Sequence, residues 1–159
     1  MANYIFVERL GFDEIEIELS EMSNYTLFES DGEELRLPSS KLFSNIDAYV
    51  QNQLQPKVAG EGKFWEMFVA EEDGVFDLHF DIFAAVFCFL ARVGAFRPDA
   101  QFATRGRFTV ESSIQYKYGV HELPIIDFWL LRLKEVLAAK GIEFSNNERF
   151  QWWNTIDID

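Results

Sequence analysis

Phe12-Asp13-Glu14-Ile15-Glu16-Ile17-Glu18-Leu19 alternates apolar and acidic side chains, with Ile15, Ile17 and Leu19 on one side and Glu14, Glu16 and Glu18 on the other. A period of two is the signature of a half-buried β-strand. Upstream, Tyr4-Ile5-Phe6-Val7 is β-prone and ends before Gly11. Downstream, Tyr25 to Glu29 and Glu34 to Leu37 flank Ser30-Asp31-Gly32-Glu33, whose Asp-Gly pair favours a tight hairpin. The N-terminal third therefore predicts an antiparallel meander with carboxylates on its outer face. Successive outward glutamates on one strand stand ~6.6 Å apart, a spacing that is tolerable in water or against a cationic partner.

Beyond the meander, Pro38-Ser39-Ser40 can cap a helix from Lys41 to about Leu54, with Leu42, Phe43, Ile46, Tyr49, Val50 and Leu54 at helical spacing and Pro56 after its end. Lys63 to Ala70 reads as a strand, Glu71 to Gly74 as a turn and Val75 to Phe80 as the next strand. Ile82 to Val93 holds too many consecutive apolar residues for a surface helix, which predicts a central buried helix closed by Gly94. Phe102 to Tyr118 is β-rich, with Ile114, Tyr116 and Tyr118 alternating with Gln115 and Lys117. Glu122 to Lys140 is the clearest helix: Pro124 fits its first turn, acids come early, bases come late, and Gly141 fits the position past its end. Ile142 to Phe144 and Arg149 to Trp153 read as a closing hairpin around Asn146-Asn147. Together these segments predict a single α+β domain over residues 1–159, with a largely antiparallel sheet and about three helices.

Composition agrees with a folded chain of this kind. In 159 residues there are 17 Phe, 5 Tyr and 4 Trp, ample apolar area to offset chain entropy. A chain of this length buries about 70% of the surface its unfolded form exposes, so it needs no metal or disulfide staple. Cys88 is the one cysteine and lies in an apolar run, so no intramolecular disulfide forms and a buried hydrophobic role is expected. No basic segment followed by a long apolar one opens the chain, and Ile82 to Ala91, the longest uncharged apolar run, is far shorter than the ~20 residues of a membrane span. The expectation is a cytoplasmic protein without a membrane partner.

Charge is the most informative feature. Residues 1–81 carry 18 acids and 5 bases and residues 82–159 carry 9 of each, so the entire net charge of −13 lies in the first half. Between Glu8 and Glu34 ten acids meet a single base, Arg9. Such an excess opposes direct binding to nucleic acid, which depends on cationic side chains displacing counterions from phosphates. Concentrated in one half, it creates a field that steers basic partners.

Local chemistry offers less. Asp77-Leu78-His79-Phe80-Asp81 places three donors at i, i+2 and i+4, which on a strand share one side and suit a divalent metal. The same spacing equally describes the wet side of a strand, and Asp81 also suits the N-cap of the following helix. His79 and His121 are the available imidazole bases, and neither sits in a nucleophile signature. Gly60-Glu61-Gly62 is too short and too acidic for a phosphate loop, and no cofactor is expected. Arg105-Gly106-Arg107 with Phe108 and Tyr116 to Tyr118 has the basic-aromatic character of single-strand binders, but the acidic half opposes a polyanion. Trp152-Trp153, near Asp157 and Asp159, offers an aromatic anchor for a partner.

In charge, size and expected compartment the chain resembles the small acidic cytoplasmic inhibitors of bacteria and phages: immunity proteins that neutralise a toxin domain, and nucleic-acid mimics that block defence nucleases. No shared motif stands behind that resemblance. It implies a non-enzymatic inhibitor that occupies the cationic cleft of a basic, nuclease-like protein with Asp13, Glu14, Glu16, Glu18, Asp31, Glu33 and Glu34, joined by Glu71, Glu72 and Asp73. Two alternatives stand beside it. One is a metal-dependent hydrolase or metal-binding domain using Asp77, His79 and Asp81; the other is a structural subunit or adaptor that pairs through Trp and Phe patches.

Overall fold

The computed structural model describes residues 1–12, 16–19, 24–28, 34–51, 53, 55–71 and 76–142, with the backbone alone at 16–19, 27 and 28. Its frame is α+β. Strands β1 (Glu16–Leu19), β2 (Asn24–Phe28) and β3 (Glu34–Pro38) form an antiparallel sheet in the order β1-β2-β3. Glu16 is the register partner of Phe28 and Glu18 of Thr26; across β2, Phe28 partners Glu34 and Thr26 partners Arg36. The meander expected from the sequence is thus formed. Its inner side is fixed by Leu35 and Leu37, which are fully buried, and by Tyr25 packing edge-on against Phe83 at 4.8 Å. A small antiparallel pair, β4 (Val58–Ala59) and β5 (Glu66–Met67), lies outside that sheet.

The centre of the molecule is a helix. After the short helix α1 (Ile46–Val50), the apolar run forms α2 (Ile82–Leu90), with Ile82, Phe83, Ala84, Ala85, Val86 and Cys88 all buried. Such a helix is stable only when covered on every side. Phe83 meets Phe6 as well as Tyr25; Phe87 meets Phe43; Phe89 meets Trp65 and Trp129. Asp81 starts the helix by accepting from Ala84 N at 3.0 Å, as its N-cap position suggested. The C-terminal end differs from expectation. The left-handed position falls on Arg92 at φ +49°, two residues before Gly94, and Gly94 sits within a tight turn of helix, Val93–Phe96.

Helix α4 (Ile125–Ala139) follows the short α3 (Ile114–Lys117) and buries Ile125, Trp129, Leu130, Leu133 and Leu137 on one stripe. Pro124 stands at its N-cap rather than inside its first turn. Gly141 at φ +75° lets the chain reverse: Gly141 N donates to Ala138 O and Ile142 N to Leu137 O, satisfying carbonyls of the last turn. Trp129 Nε1 donates to Trp65 O at 2.7 Å, and Arg132 pairs with the buried carboxylate of Glu66, tying α4 to β5.

Several expected elements take another form. Tyr4–Arg9 is a wide helical turn, with Leu10 N bonded to Ile5 O, because only coiling buries Ile5, Phe6 and Leu10 together. The expected helix from Lys41 shrinks to a turn at Leu42–Ser44 and α1; Ser40 gives its N–H and its hydroxyl to Asp81 and accepts from Leu42 N at 3.4 Å, which starts only that short turn. Lys63 to Ala70 is a strand only at β5, reinforced by a bridge from Val69 to Phe80, and residues 77–79 bend rather than extend. Phe102 to Tyr118 is not a sheet: it holds one bridge, Phe102 to Phe108, a turn at Val110–Ser112, and α3, which Ser113 caps by accepting from Tyr116 N at 3.2 Å. The expected closing hairpin and Trp152-Trp153 lie outside the described residues.

Gly60 gives a direct test of the turn that feeds β5. At φ +72° it occupies left-handed space, and a Cβ there would lie 2.1 Å from the carbonyl oxygen of Phe64. Gly60→Ala is expected to cost at least about 2 kcal/mol, because the backbone itself must shift. Urea unfolding with an unchanged midpoint would refute that assignment of the turn.

Candidate functional site

Two regions stand out, one anticipated by charge and one not. The acidic region begins on the sheet. The backbone register sets Glu16 and Glu34 on either side of Phe28, about 10 Å apart across three strands. Glu34 is answered within its own strand: both its oxygens accept from Arg36 at 2.8 Å, and that guanidinium holds the Glu34 carboxyl below its ordinary value. Glu71 is exposed at the start of its loop. Asp13, Glu14, Asp31, Glu33, Glu72 and Asp73 lie outside the described residues, and of Glu16 and Glu18 only the backbone is placed.

The spacing that suggested a metal site at Asp77, His79 and Asp81 takes a different form in the fold. It required an extended strand, and the bend at 77–79 sends the three residues to different tasks. Asp77 accepts from Arg36 N at 2.7 Å and pairs with Lys140 at 3.0 Å. Asp81 is fully buried and accepts from Ser40 N, Ser40 Oγ and Ala84 N. His79 is exposed. Among the described residues, no three His, Cys, Asp or Glu side chains are grouped to hold a metal ion.

The second region is a half-open cavity of about 790 Å³, within the range of small-molecule sites. Its inner wall is Tyr49 of α1 with Cys88 and Phe89 of α2; the other walls come from the residues after α2 and from the turn that leads into α3. Burial lifts the Tyr49 hydroxyl well above its ordinary range and the Cys88 thiol up to about 12. The Arg97 guanidinium lies 5.5 Å above the Tyr49 ring, with its Nε donating to Asp99 at 3.3 Å. Arg92 and Lys117 bring two more cations to the lining, and Glu111 one more carboxylate. Phe108, Tyr118 and the hydroxyl-bearing Ser112 and Ser113 complete the mixed surface.

The sequence signal for this cavity was present but dispersed. Residues 92–117 hold five cationic side chains and two acidic ones, a local reversal of the chain's charge. Fold and site together define a small α+β protein with a helix at its centre, an acidic N-terminal half and a polar cavity beside the end of that helix. The chain belongs to DUF7033, a family of unknown function, whose match spans residues 2–142. No curated protein and no solved structure matches the chain. Among the described residues no helix is long and apolar enough to cross a membrane.

Proposed function

We propose that this domain is a non-enzymatic protein-binding module that docks a basic protein against its acidic N-terminal half. The observation that carries the reading is the segregation of charge: the whole −13 lies in residues 1–81, and the acidic segment around Glu16, Glu18 and Glu34 folds as an antiparallel sheet. Electrostatic complementarity of that kind speeds encounter and selects partners by sign. In its finer form the partner is a nuclease-like toxin or defence protein, met in the cytoplasm, whose cationic cleft the carboxylates fill.

The test uses the wild-type chain and a Glu14→Lys, Glu16→Lys, Glu18→Lys variant, each immobilised and exposed to lysate of the source organism. A single basic protein retained in stoichiometric amount by the wild type, released by salt and held at least about tenfold less tightly by the variant is the expected result. Equal retention by both chains removes the sheet from the interface, and a salt-independent association rate removes steering altogether. Loss of the partner's nuclease activity in the complex separates the finer form from simple docking.

A second reading, a structural subunit or adaptor, draws on a separate observation. Nine large apolar or aromatic side chains are exposed among the described residues, including Phe64 and Phe96 at 62% and 71%. Where such side chains adjoin in one patch, they offer a surface for a partner. Sedimentation should then show self-association that rises with concentration; a monomer throughout would exclude the homo-oligomeric form.

A further inference from the structure

The cavity beside the end of α2 has charge opposite to that of the chain, and one of its cations sits on an unusual backbone. Arg92 has φ +49° and ψ +42°, a left-handed conformation that glycine adopts freely and that costs a side-chain-bearing residue about 1 kcal/mol or more. Strain of this kind concentrates where a side chain is needed for a task. Here it brings an arginine to the lining at the point where the chain leaves α2, although a glycine follows two residues later.

Around it, the lining cations are Arg92, Arg97 and Lys117, and the lining carboxylates are Asp99 and Glu111, with His121 at the margin. Arg97 is engaged by Asp99, by Gln55 and by the Tyr49 ring, so its role is to build the wall. Arg92 and Lys117 are exposed and therefore accessible to a ligand's charge. Phe108 and Tyr118 give the same space flat apolar faces, and Lys117 Nζ lies 5.5 Å over the Tyr118 ring, which places cation and ring side by side. A ligand suited to both must carry a negative group and a planar body.

We propose that this cavity binds a small organic anion, a phosphate or carboxylate attached to a planar apolar group, with Arg92 and Lys117 contacting the charge and Phe108 and Tyr118 flanking the body. This site is independent of the acidic sheet, so either reading can fail without the other. The cavity would give a domain of strongly negative charge a means of accepting an anion that the rest of its surface repels.

The experiment is calorimetric titration of the full chain with phenyl phosphate, inorganic phosphate and benzyl alcohol at neutral pH. Three variants each remove one positive charge: Arg92→Gly and Lys117→Ala in the cavity, and Lys63→Ala away from it. Arg92→Gly should melt no lower than the parent, since glycine suits that backbone. Saturable binding of phenyl phosphate is expected, at least about fivefold weaker in each cavity variant and within about twofold of the parent in Lys63→Ala. Inorganic phosphate and benzyl alcohol should each bind more weakly, as each offers only half of the match. Absent binding of phenyl phosphate, binding unchanged by either cavity variant, or equal binding of benzyl alcohol overturns the proposal. Equal binding of inorganic phosphate overturns the role of the rings.

Discussion

Replacing Trp129 by alanine is expected to remove about 4–5 kcal/mol of stability, most of what a domain of this size possesses. The indole is 1% exposed and stands at the junction of three parts of the chain. Its ring meets Trp65 at 5.9 Å, Phe80 at 5.7 Å and Phe89 at 5.1 Å, so its loss opens a cavity against α2, the strand pair and the bridge at Phe80 simultaneously. Its Nε1–H also donates to Trp65 O, whose acceptor then loses its bond in a buried place. Trp129→Phe retains much of the volume and should cost roughly half as much. Urea unfolding followed by far-ultraviolet dichroism measures both; an alanine variant within about 1 kcal/mol of the parent would mean that this junction is not the core's anchor.

Asp81→Ala should cost about 3 kcal/mol, combining a lost helix cap with two half-buried Ser40 donors left without this acceptor. Oδ1 accepts from Ala84 N at 3.0 Å, and Oδ2 accepts from Ser40 N and Ser40 Oγ at 2.8 Å each, so one carboxylate joins the start of α2 to the end of β3. Asp81→Asn keeps the cap while turning an amide toward one set of donors, and its loss should be smaller. Burial raises the Asp81 carboxyl above its ordinary value, against the pull of its three donors. The folded chain therefore holds that proton more tightly than the unfolded chain. Its contribution to stability is greatest in acid and declines as pH rises from the ordinary carboxyl value through the raised one. Comparing unfolding free energies of the wild type and Asp81→Asn across that window isolates the effect; identical pH slopes would show that Asp81 titrates alike in both states.

What the sequence made legible follows from where its signals are local. The alternation from Phe12 to Leu19, the hairpin spacing around Asp31-Gly32 and the amphipathic stripe of Glu122 to Lys140 each specify an element whose neighbours merely accept it, and the sheet and α4 are found there. The run from Ile82 could be read as central because no surface helix tolerates it. Where the reading failed, tertiary demands overrode local preference. Tyr4 to Val7 is β-prone, yet Ile5, Phe6 and Leu10 reach the core together only by coiling. Ile114, Tyr116 and Tyr118 alternate like a strand, but Ser113 caps Tyr116 N and turns the segment into α3. The Asp77-His79-Asp81 spacing had meaning only for an extended chain. The cavity escaped for a different reason: Tyr49, Arg92, Phe108 and Lys117 belong to separate elements, and no spacing joins them before the chain folds.

One further consequence concerns Cys88. It belongs to the cavity lining although it is only 6% exposed, and burial pushes its thiol up to about 12. Burial therefore keeps the reactive thiolate scarce at neutral pH, which makes the thiol slow to react even where a reagent can reach it. The residue is thus a built-in reporter on the cavity: the rate at which an alkylating agent marks it in the native state reads access through that opening, with no added label and no competing thiol in the chain.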